Sequence, residues 1–558
     1  MNMIEEAKNQ VREIISAAVN SLFDEGKLQR VELPKVNVEI PADSKNGDMS
    51  SNFALAGARI FRKSPRDIAT LIKEAASLEG SYFEKMEIAG AGFINFYYSA
   101  TWFAKTVSDI ISQGESYGSA ESNGKRVLIE YVSANPTGPM HIGNARGGAI
   151  GDCLASVMEK AGWEVDREFY VNDAGNQIEK FKTSLECRYL SLYKEGIEMP
   201  EDSYHGEDII EHAKNYADIY GDKLLNVSSE ERRQELCDFA LPKNIEGLER
   251  DLKKYRIVYD KWFKESELHQ SGAVDEILEK LKQSGYTYTQ GGALWFKSSE
   301  LGDEKDRVLV RENGIPTYFV PDIAYHYNKL VTRGYDKAID ILGADHHGYI
   351  PRMKAAMAAL GVDADKLDMV IMQMVNLVKD GERYKLSKRS GKAITLSTLL
   401  DEIPIDAARF FFNLREPDSH FDFDIDLAIS ETSQNPVYYV QYAHARICSI
   451  LKGLKEEGIQ IAEGVGLELL TTPEETELIK HLAELPDCIL ESAKDYDPSK
   501  VTRYAVETAT LYHKFYSSCR VKCDDEKLML GRISLCLAVK QVIKNVLDML
   551  KITCPEHM

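Results

Sequence analysis

His141, Gly143 and Asn144 open what reads as a long helix, directly after a Pro/Gly loop and an apolar run over 127–132. A strand that turns into a helix start is where α/β sheets bind nucleotides, because the first helical N–H groups are unpaired and sit at the positive end of the dipole. Gly143 lets a base or ribose approach the backbone with no side chain in the way. His141 can donate a hydrogen bond to a phosphate oxygen whose charge grows during transfer. Far downstream, Lys385-Leu-Ser387-Lys388-Arg389 follows a second apolar run, 369–375. Two lysines separated by Leu-Ser can clamp a triphosphate and stabilise charge on a leaving pyrophosphate. Singly, a Lys/Ser/Gly segment is usually a solvated turn and a His at a helix start usually a cap. The ordered pair, each at a strand exit, is far more specific. Neither the Gly-x-x-x-x-Gly-Lys-Ser/Thr loop nor the Gly-x-Gly-x-x-Gly fingerprint is present.

These residues need a scaffold. Strand candidates at 127–132, 165–171, 338–342 and 369–375 alternate with helical stretches; Ile150, Leu154, Val157 and Met158 follow the helical 3–4 spacing. The pattern predicts an α/β catalytic unit over about 120–400, with a Rossmann-like, doubly wound parallel sheet. The stretch 178–300, charged and helical in pattern, reads as an insertion between the two halves of that sheet. Residues 1–115 read as an α+β domain, with helical spacing in Ile4, Val11, Ile14, Ile15, Val19 and Leu22 and strand-like runs at 35–40 and 93–98. From 405 to 558 the pattern is an all-α bundle, with helices opened by Asn435-Pro436 and running over 501–516 and 533–550.

At 558 residues the chain should hold three or four domains. Its composition is globular, with no apolar run of membrane-spanning length, and the start lacks the basic-then-apolar pattern of a secretory signal. Nine cysteines are scattered, and Cys519 and Cys523 have no second ligand pair nearby. Reduced thiols in a cytoplasmic protein and no metal site are therefore expected. The net charge of −21 argues against a generic nucleic-acid binder. A local basic patch can still hold RNA, while overall acidity suppresses non-specific contacts.

His141-Ile-Gly-Asn144 and Lys385-Leu-Ser-Lys-Arg389 resemble the two signature motifs of class I aminoacyl-tRNA synthetases. The wider context resembles the arginyl-tRNA synthetase family: Glu130-Tyr-Val-Ser-Ala-Asn-Pro-Thr-Gly-Pro-Met-His141, Tyr170-Val-Asn-Asp-Ala-Gly-Asn-Gln177, Tyr318-Phe-Val-Pro-Asp322, Gly343-Ala-Asp-His-His-Gly348 and Asp406-Ala-Ala-Arg-Phe410. The resemblance covers essentially the whole chain. It departs at Asn144, where the second His is usual, and at Leu386, where Met is usual. Asn keeps a hydrogen-bonding side chain and Leu an apolar one, so an active site is expected.

The resemblance implies activation of L-arginine with ATP and Mg²⁺, then transfer to the terminal ribose of tRNA(Arg). It implies catalytic roles for His141, Lys385 and Lys388, and ATP binding by His141, Gly143, Asn144, Lys385, Ser387 and Lys388. Arginine binding falls to Glu130, Ser133, Asn135, Tyr318, Asp322 and His346; a guanidinium fork pairs well with carboxylates. Contact with tRNA falls to Phe93 and Asn95 in the N-terminal domain. In the helical domain it falls to Tyr438, Tyr442, Tyr512 and Lys514, with Tyr516, His513, Arg520 and Lys522 adding aromatic faces and charge for splayed bases. The plainer readings are core for Phe93, strand surface for Asn95, a surface salt bridge for Asp322 and bundle core for the tyrosines. The alternatives in function are another class I aminoacyl-tRNA synthetase, a non-catalytic tRNA-binding paralogue, or a plain nucleotidylyltransferase. Glu130 with Asp322 argues against an apolar substrate, and the two lysines argue against loss of catalysis. A cytoplasmic monomer with no membrane contact is expected.

Overall fold

The computed structural model describes residues 2–384 and 395–558, so Lys385, Ser387 and Lys388 lie outside the described residues. The N-terminal part comprises α1 (Met3–Asp24), β1 (Val38–Glu39), β2 (Met49–Ser51), α2 (Phe53–Phe61), α3 (Pro65–Ala75), β3 (Phe83–Ala89), β4 (Phe93–Tyr98) and α4 (Ala100–Gln113). Asn2 caps α1 by accepting from the N–H groups of Ile4 and Glu5. Its buried stripe of Val11, Ile15, Val19 and Leu22 follows the predicted spacing. The strands form an antiparallel sheet in the order β1-β2-β4-β3.

The central part runs β5 (Arg126–Glu130), α5 (Ile142–Lys160), β6 (Glu164–Val171), α6 (Gly175–Ser191), α7 (Glu207–Tyr220), α8 (Ser229–Lys254), β7 (Lys261–Lys264), α9 (Glu265–Gln270), α10 (Ala273–Gln283), β8 (Thr287–Gln290), β9 (Ala293–Phe296), β10 (Arg307–Val310), α11 (Phe319–Tyr327), β11 (Lys337–Gly343), α12 (Tyr349–Ala359) and β12 (Leu367–Met372). The main sheet has the order β12-β11-β5-β6-β7, and every pair is parallel. Val127, Leu128 and Ile129 of the central strand are fully buried, as a parallel strand covered on both faces requires. The chain winds outward from β5 in both directions. The strand order therefore reverses between β5 and β11, where open α/β sheets bind ligands.

Two expectations are corrected here. The stretch 178–300 is not helical throughout: α6 to α8 bury a core of their own around Phe181, Tyr189, Tyr216 and Leu236, but the chain then returns to the main sheet as β7. It next forms a separate antiparallel sheet, β10-β9-β8. The short run Lys261–Lys264 has charged ends that mask a strand. The apolar run 369–375 is not one strand either. It breaks at Gln373, whose N–H donates to Pro417 O (2.9 Å) and whose carbonyl accepts from Arg146 (2.7 Å), so the ladder cannot continue.

Beyond that break come β13 (Val375–Lys379), β14 (Glu382–Arg383), α13 (Leu396–Glu402), α14 (Ile405–Phe412), β15 (Phe421–Asp424) and α15 (Ile425–Ile429), with a small sheet in the order β14-β13-β15. The all-α expectation for 405–558 is corrected too, because β15 pairs with β13; the C-terminal bundle itself consists of α16 (Pro436–Glu456), α17 (Pro473–Ala483), α18 (Leu485–Asp495), α19 (Ser499–Ser518) and α20 (Glu526–Met549). Asn435 caps α16 through Val437 N–H, with Pro436 in the first turn. Among the described residues, no helix is long and apolar enough to cross a membrane.

Candidate active site

At the end of β5 the backbone is strained: Val132 has φ +71° and Ser133 φ +40°. A β-branched residue there is an outlier, the kind that persists only where its surroundings over-determine it. The Tyr131 carbonyl accepts from Tyr259 Oη (2.9 Å) and from Ser133 N–H (3.0 Å). Ser133 Oγ donates to Glu130 Oε1 (2.8 Å) and accepts from Tyr170 N–H (3.1 Å). The loop then reaches His141, the N-cap of α5. His141 Nδ1 accepts from Gly143 N–H (3.2 Å), and Asn144 Oδ1 accepts from His141 N–H (3.1 Å), which closes a reciprocal capping box. Because Nδ1 is an acceptor, the ring's hydrogen sits on Nε2 and is free to be donated outward. The departure at Asn144 thus has a local role: its amide oxygen holds the cap.

His141, Gly143 and Asn144 form one side of a cleft of about 210 Å³ at the reversal point of the sheet; Gly343 to Asp345 after β11, and Met372 to Val375, form the others. Thr395, where the described chain resumes after the second motif, makes a β-bridge with His141, and Leu396 N–H donates to Met140 O (2.9 Å). The C-terminal flank of the second motif therefore lies against the first. The cleft can cradle a nucleotide, with helix N–H groups and an imidazole donor at its phosphate end.

A separate pair of carboxyls is brought together by α9 and α11. Asp322, in the first turn of α11, has its carboxyl pushed up to about 6 by burial, with His326 opposing and Glu265 adding to the shift. Glu265, buried at the start of α9, is also shifted up by burial. With its amide oriented by its neighbours, Asn172 donates to Glu265 Oε2 (2.9 Å). Both carboxyls are shifted toward the neutral form although each has a partner, His269 Nε2 lying 3.6 Å from Glu265 and Tyr349 bonding Asp322. Tyr318, exposed on one side, accepts from Asn176 N–H at its hydroxyl (3.0 Å). Its ring faces Gly175, where φ is +75° and an added Cβ would sit 2.9 Å from Tyr318 Cε1.

Glu130 is buried and shares the fully buried Lys329 Nζ with Asp340, at 2.5 and 2.7 Å. His326 Nε2 meets Asp340 Oδ2, and its Nδ1 meets Asp322 O, both at 2.7 Å. One network therefore fixes Glu130 and the turn that carries Asp322. Asn135 is exposed. His346 is also exposed, 3.7 Å from Asp345. The sequence reading missed Glu265, Lys329 and Arg146. The signal for Lys329 was a lysine in an otherwise apolar helical stretch, but nothing local names its two partners.

At the distal sites, Phe93 is open to solvent against the core reading, while Asn95 is buried with Oδ1 accepting from Ser50 Oγ (2.7 Å), which corrects both its strand-surface reading and its expected tRNA contact. Tyr438 and Tyr442 are parallel neighbours with ring centroids 6.3 Å apart. Tyr512 is corrected: it is fully buried in the bundle and offers no free face. Arg446, not foreseen, lies over the rings of Tyr442 (5.1 Å) and Tyr516 (4.6 Å). Lys514 is exposed but paired with Glu477 (2.6 Å).

The chain matches three family models: "Arginyl tRNA synthetase N terminal domain" over residues 9–98, "tRNA synthetases class I (R), catalytic domain" over 106–432 and "DALR anticodon binding domain" over 440–558. It is 50% identical over 562 residues to the arginine–tRNA ligase of Acetivibrio thermocellus and 51% identical over 560 residues to that of Caldanaerobacter subterraneus subsp. tengcongensis, with 100% of each chain covered in both. Its fold is similar to that of Thermus thermophilus arginyl-tRNA synthetase, with a TM-score of 0.75, 22% identity and coverage of 99% of this chain and 100% of that one. With motifs, sheet topology, full-length similarity and all three domain models in agreement, the chain belongs to the arginyl-tRNA synthetase family.

Proposed function

We propose that the chain is an arginine–tRNA ligase, with the cleft at His141 as its ATP site and the Asp322 pocket as its arginine site. The observation that carries this reading is the carboxyl pair of Asp322 and Glu265, both shifted up by burial, together with the helix-capped cleft at His141. A guanidinium offers the planar fork those carboxylates lack. Tyr318 walls the pocket. Glu130, Ser133 and Asn135 take the amino-acid end, with His346 presenting a polar side chain nearby.

An oxygen of the arginine carboxylate attacks the α-phosphorus of ATP; a new P–O bond forms and the bond to the β-phosphate oxygen breaks, releasing pyrophosphate and arginyl-adenylate. His141 Nε2–H and the N–H groups at the start of α5 stabilise charge on the phosphate oxygens. Gly143 and Asn144 sit against the nucleotide, and Lys385, Ser387 and Lys388 hold the pyrophosphate side. The 2′-hydroxyl of the terminal ribose of tRNA(Arg) then attacks the activated carbonyl, and AMP leaves. No side-chain nucleophile takes part; positioning and electrostatics carry the rate. Among the described residues no group of three or more His, Cys, Asp or Glu side chains can hold a metal ion. Mg²⁺ carried by the ATP phosphates would neutralise phosphate charge.

Phe93, on the N-terminal domain with Asn95 supporting its strand, and Tyr438, Tyr442 and Lys514, on the bundle, serve tRNA contact, with Arg446 between two aromatic faces. The ligase works as a monomer in the cytoplasm. The test is charging of a total tRNA pool with each proteinogenic amino acid, ATP and Mg²⁺. Arginine alone should be attached. Attachment of another amino acid would overturn the assignment of Asp322 and Glu265, and tRNA binding without charging would favour a non-catalytic paralogue.

A further inference from the structure

Arg146 stands one turn into α5 and is fully buried. Buried arginines usually face a carboxylate, as Arg409 faces Asp152 (2.5 Å). Arg146 does not. Its Nη1 donates to the carbonyls of Gln373 (2.7 Å) and Ser419 (3.1 Å), and its Nη2 to that of Glu416 (3.0 Å). Among the described residues its Nε has no partner. The guanidinium therefore keeps its full charge at the edge of the nucleotide cleft, which it borders together with His141 and Gly143. Burial brings its pKa down to about 10, still well above neutrality.

The three carbonyls belong to two separate loops. Gln373 lies in the turn between β12 and β13, where Met372, Gln373 and Met374 form the cleft wall opposite His141. Glu416 and Ser419 lie in the loop that leads into β15, which pairs in parallel with β13. Gln373 N–H donates to Pro417 O (2.9 Å), so the loops are also tied to each other. The strands that follow Gln373, β13 and β14, lead directly to Lys385.

We infer that Arg146 is a positioning residue for nucleotide binding, which sets the distance between the N-terminus of α5 and both the opposite cleft wall and the root of the β13–β14 arm. The inference rests on the reading of this cleft as the ATP site. A planar fork can bridge carbonyls from two loops at fixed angles, and a lysine ammonium cannot. Substitution should therefore act on ATP more than on arginine, whose pocket lies on α9 and α11.

The test uses the full chain and Arg146→Lys, in ATP–pyrophosphate exchange with arginine and tRNA present. The expected result is a KM for ATP raised about 10-fold or more, with the KM for arginine within about two-fold of wild type. A merely structural role would lower the active fraction and leave both KM values unchanged, and that result overturns the inference. Wild type that exchanges no label with arginine would instead overturn the underlying reading, so the two failures are distinguishable. If Arg146→Lys does not fold, hydrogen exchange on the wild-type chain decides. ATP should protect the amides of 374–379 and 419–424 together; protection confined to 374–379 overturns the inference.

Discussion

Asp322 and Glu265 show how a side chain's ordinary value is reset by its surroundings. Burial raises the Asp322 carboxyl to about 6, so the free protein holds it partly neutral near that pH. A carboxyl raised in the folded state stabilises the fold below its unfolded value, and that contribution is lost as pH rises through about 6. Arginine binding needs the anion, so its dependence runs the other way. We expect kcat/KM for arginine to fall by about ten-fold per pH unit below about 6. Asp322→Asn should be flat over the same range and about 10²-fold lower at neutral pH; a wild-type profile with no inflection near 6 would remove Asp322 from the pocket. Lys388→Ala should slow adenylate formation by about 10²-fold or more if it touches transition-state charge, which single-turnover measurement reads directly. The types of these residues were legible in the sequence, and so was their grouping into motifs. Glu265 was not, because its partnership with Asp322 joins two helices separated by a whole antiparallel sheet.

Helix α5 is the element on which the site depends. Its N-terminus is held by the His141–Asn144 capping box, and its middle is pressed onto the strained end of β5: a Cβ at Gly151 would stand 2.2 Å from Tyr131 Cγ. Gly151→Ala therefore has to push the helix away from Tyr131, next to Val132 and Ser133. We expect a loss of about 1–3 kcal/mol in urea unfolding, as for other overpacked sites, together with a fall in kcat as the Glu130–His141 loop shifts. Unchanged kcat with lowered stability would mean that the loop is held independently of the helix. The 3–4 spacing announced α5 from sequence, but nothing local marked Gly151; its reason is the Tyr131 ring packed against it.

Across the whole molecule, Arg409 joins the parts. Fully buried, it donates to Leu550 O at the end of α20 (2.6 Å), to Tyr255 O after α8 (2.9 Å) and to Asp152 on α5 (2.5 Å). Nearby, Asp406 accepts from Arg256 (2.5 Å) and Gln441 (2.9 Å). The segment Asp406-Ala-Ala-Arg-Phe410 thus ties the end of the bundle and the end of the insertion to the active-site helix. Arg409→Met leaves Asp152 buried with Tyr131 Oη at 3.4 Å and Arg167 at 3.6 Å as partners among the described residues. It should cost about 3–5 kcal/mol in denaturant titration, whereas a cost within error would mean that the packing carries the junction without the charge. At the far end of the bundle, Arg446→Ala should weaken tRNA binding by about 1–2 kcal/mol and leave the KM for arginine unchanged; an equal rise in both would argue against a tRNA contact at Tyr442 and Tyr516.

The sequence alone was enough for whatever depends on contiguous residue types. A strand exit followed by His141-Ile-Gly-Asn144 specifies a helix cap with an outward imidazole, because cap, glycine and imidazole act within one turn. Alternation of apolar runs and helical spacing likewise specified the doubly wound sheet, and the joined motifs specified the family. Only the tertiary structure decided which side chains meet. It returned Lys261–Lys264 to the sheet, ended β12 at Gln373, turned Phe93 outward and Asn95 inward, and enclosed Tyr512. It also gave Arg146 three backbone carbonyls as partners. The physical reason is common to all of these: a backbone acceptor or a packing neighbour tens to hundreds of residues away carries no mark in the residue types around either partner, and it exists only once the chain has closed.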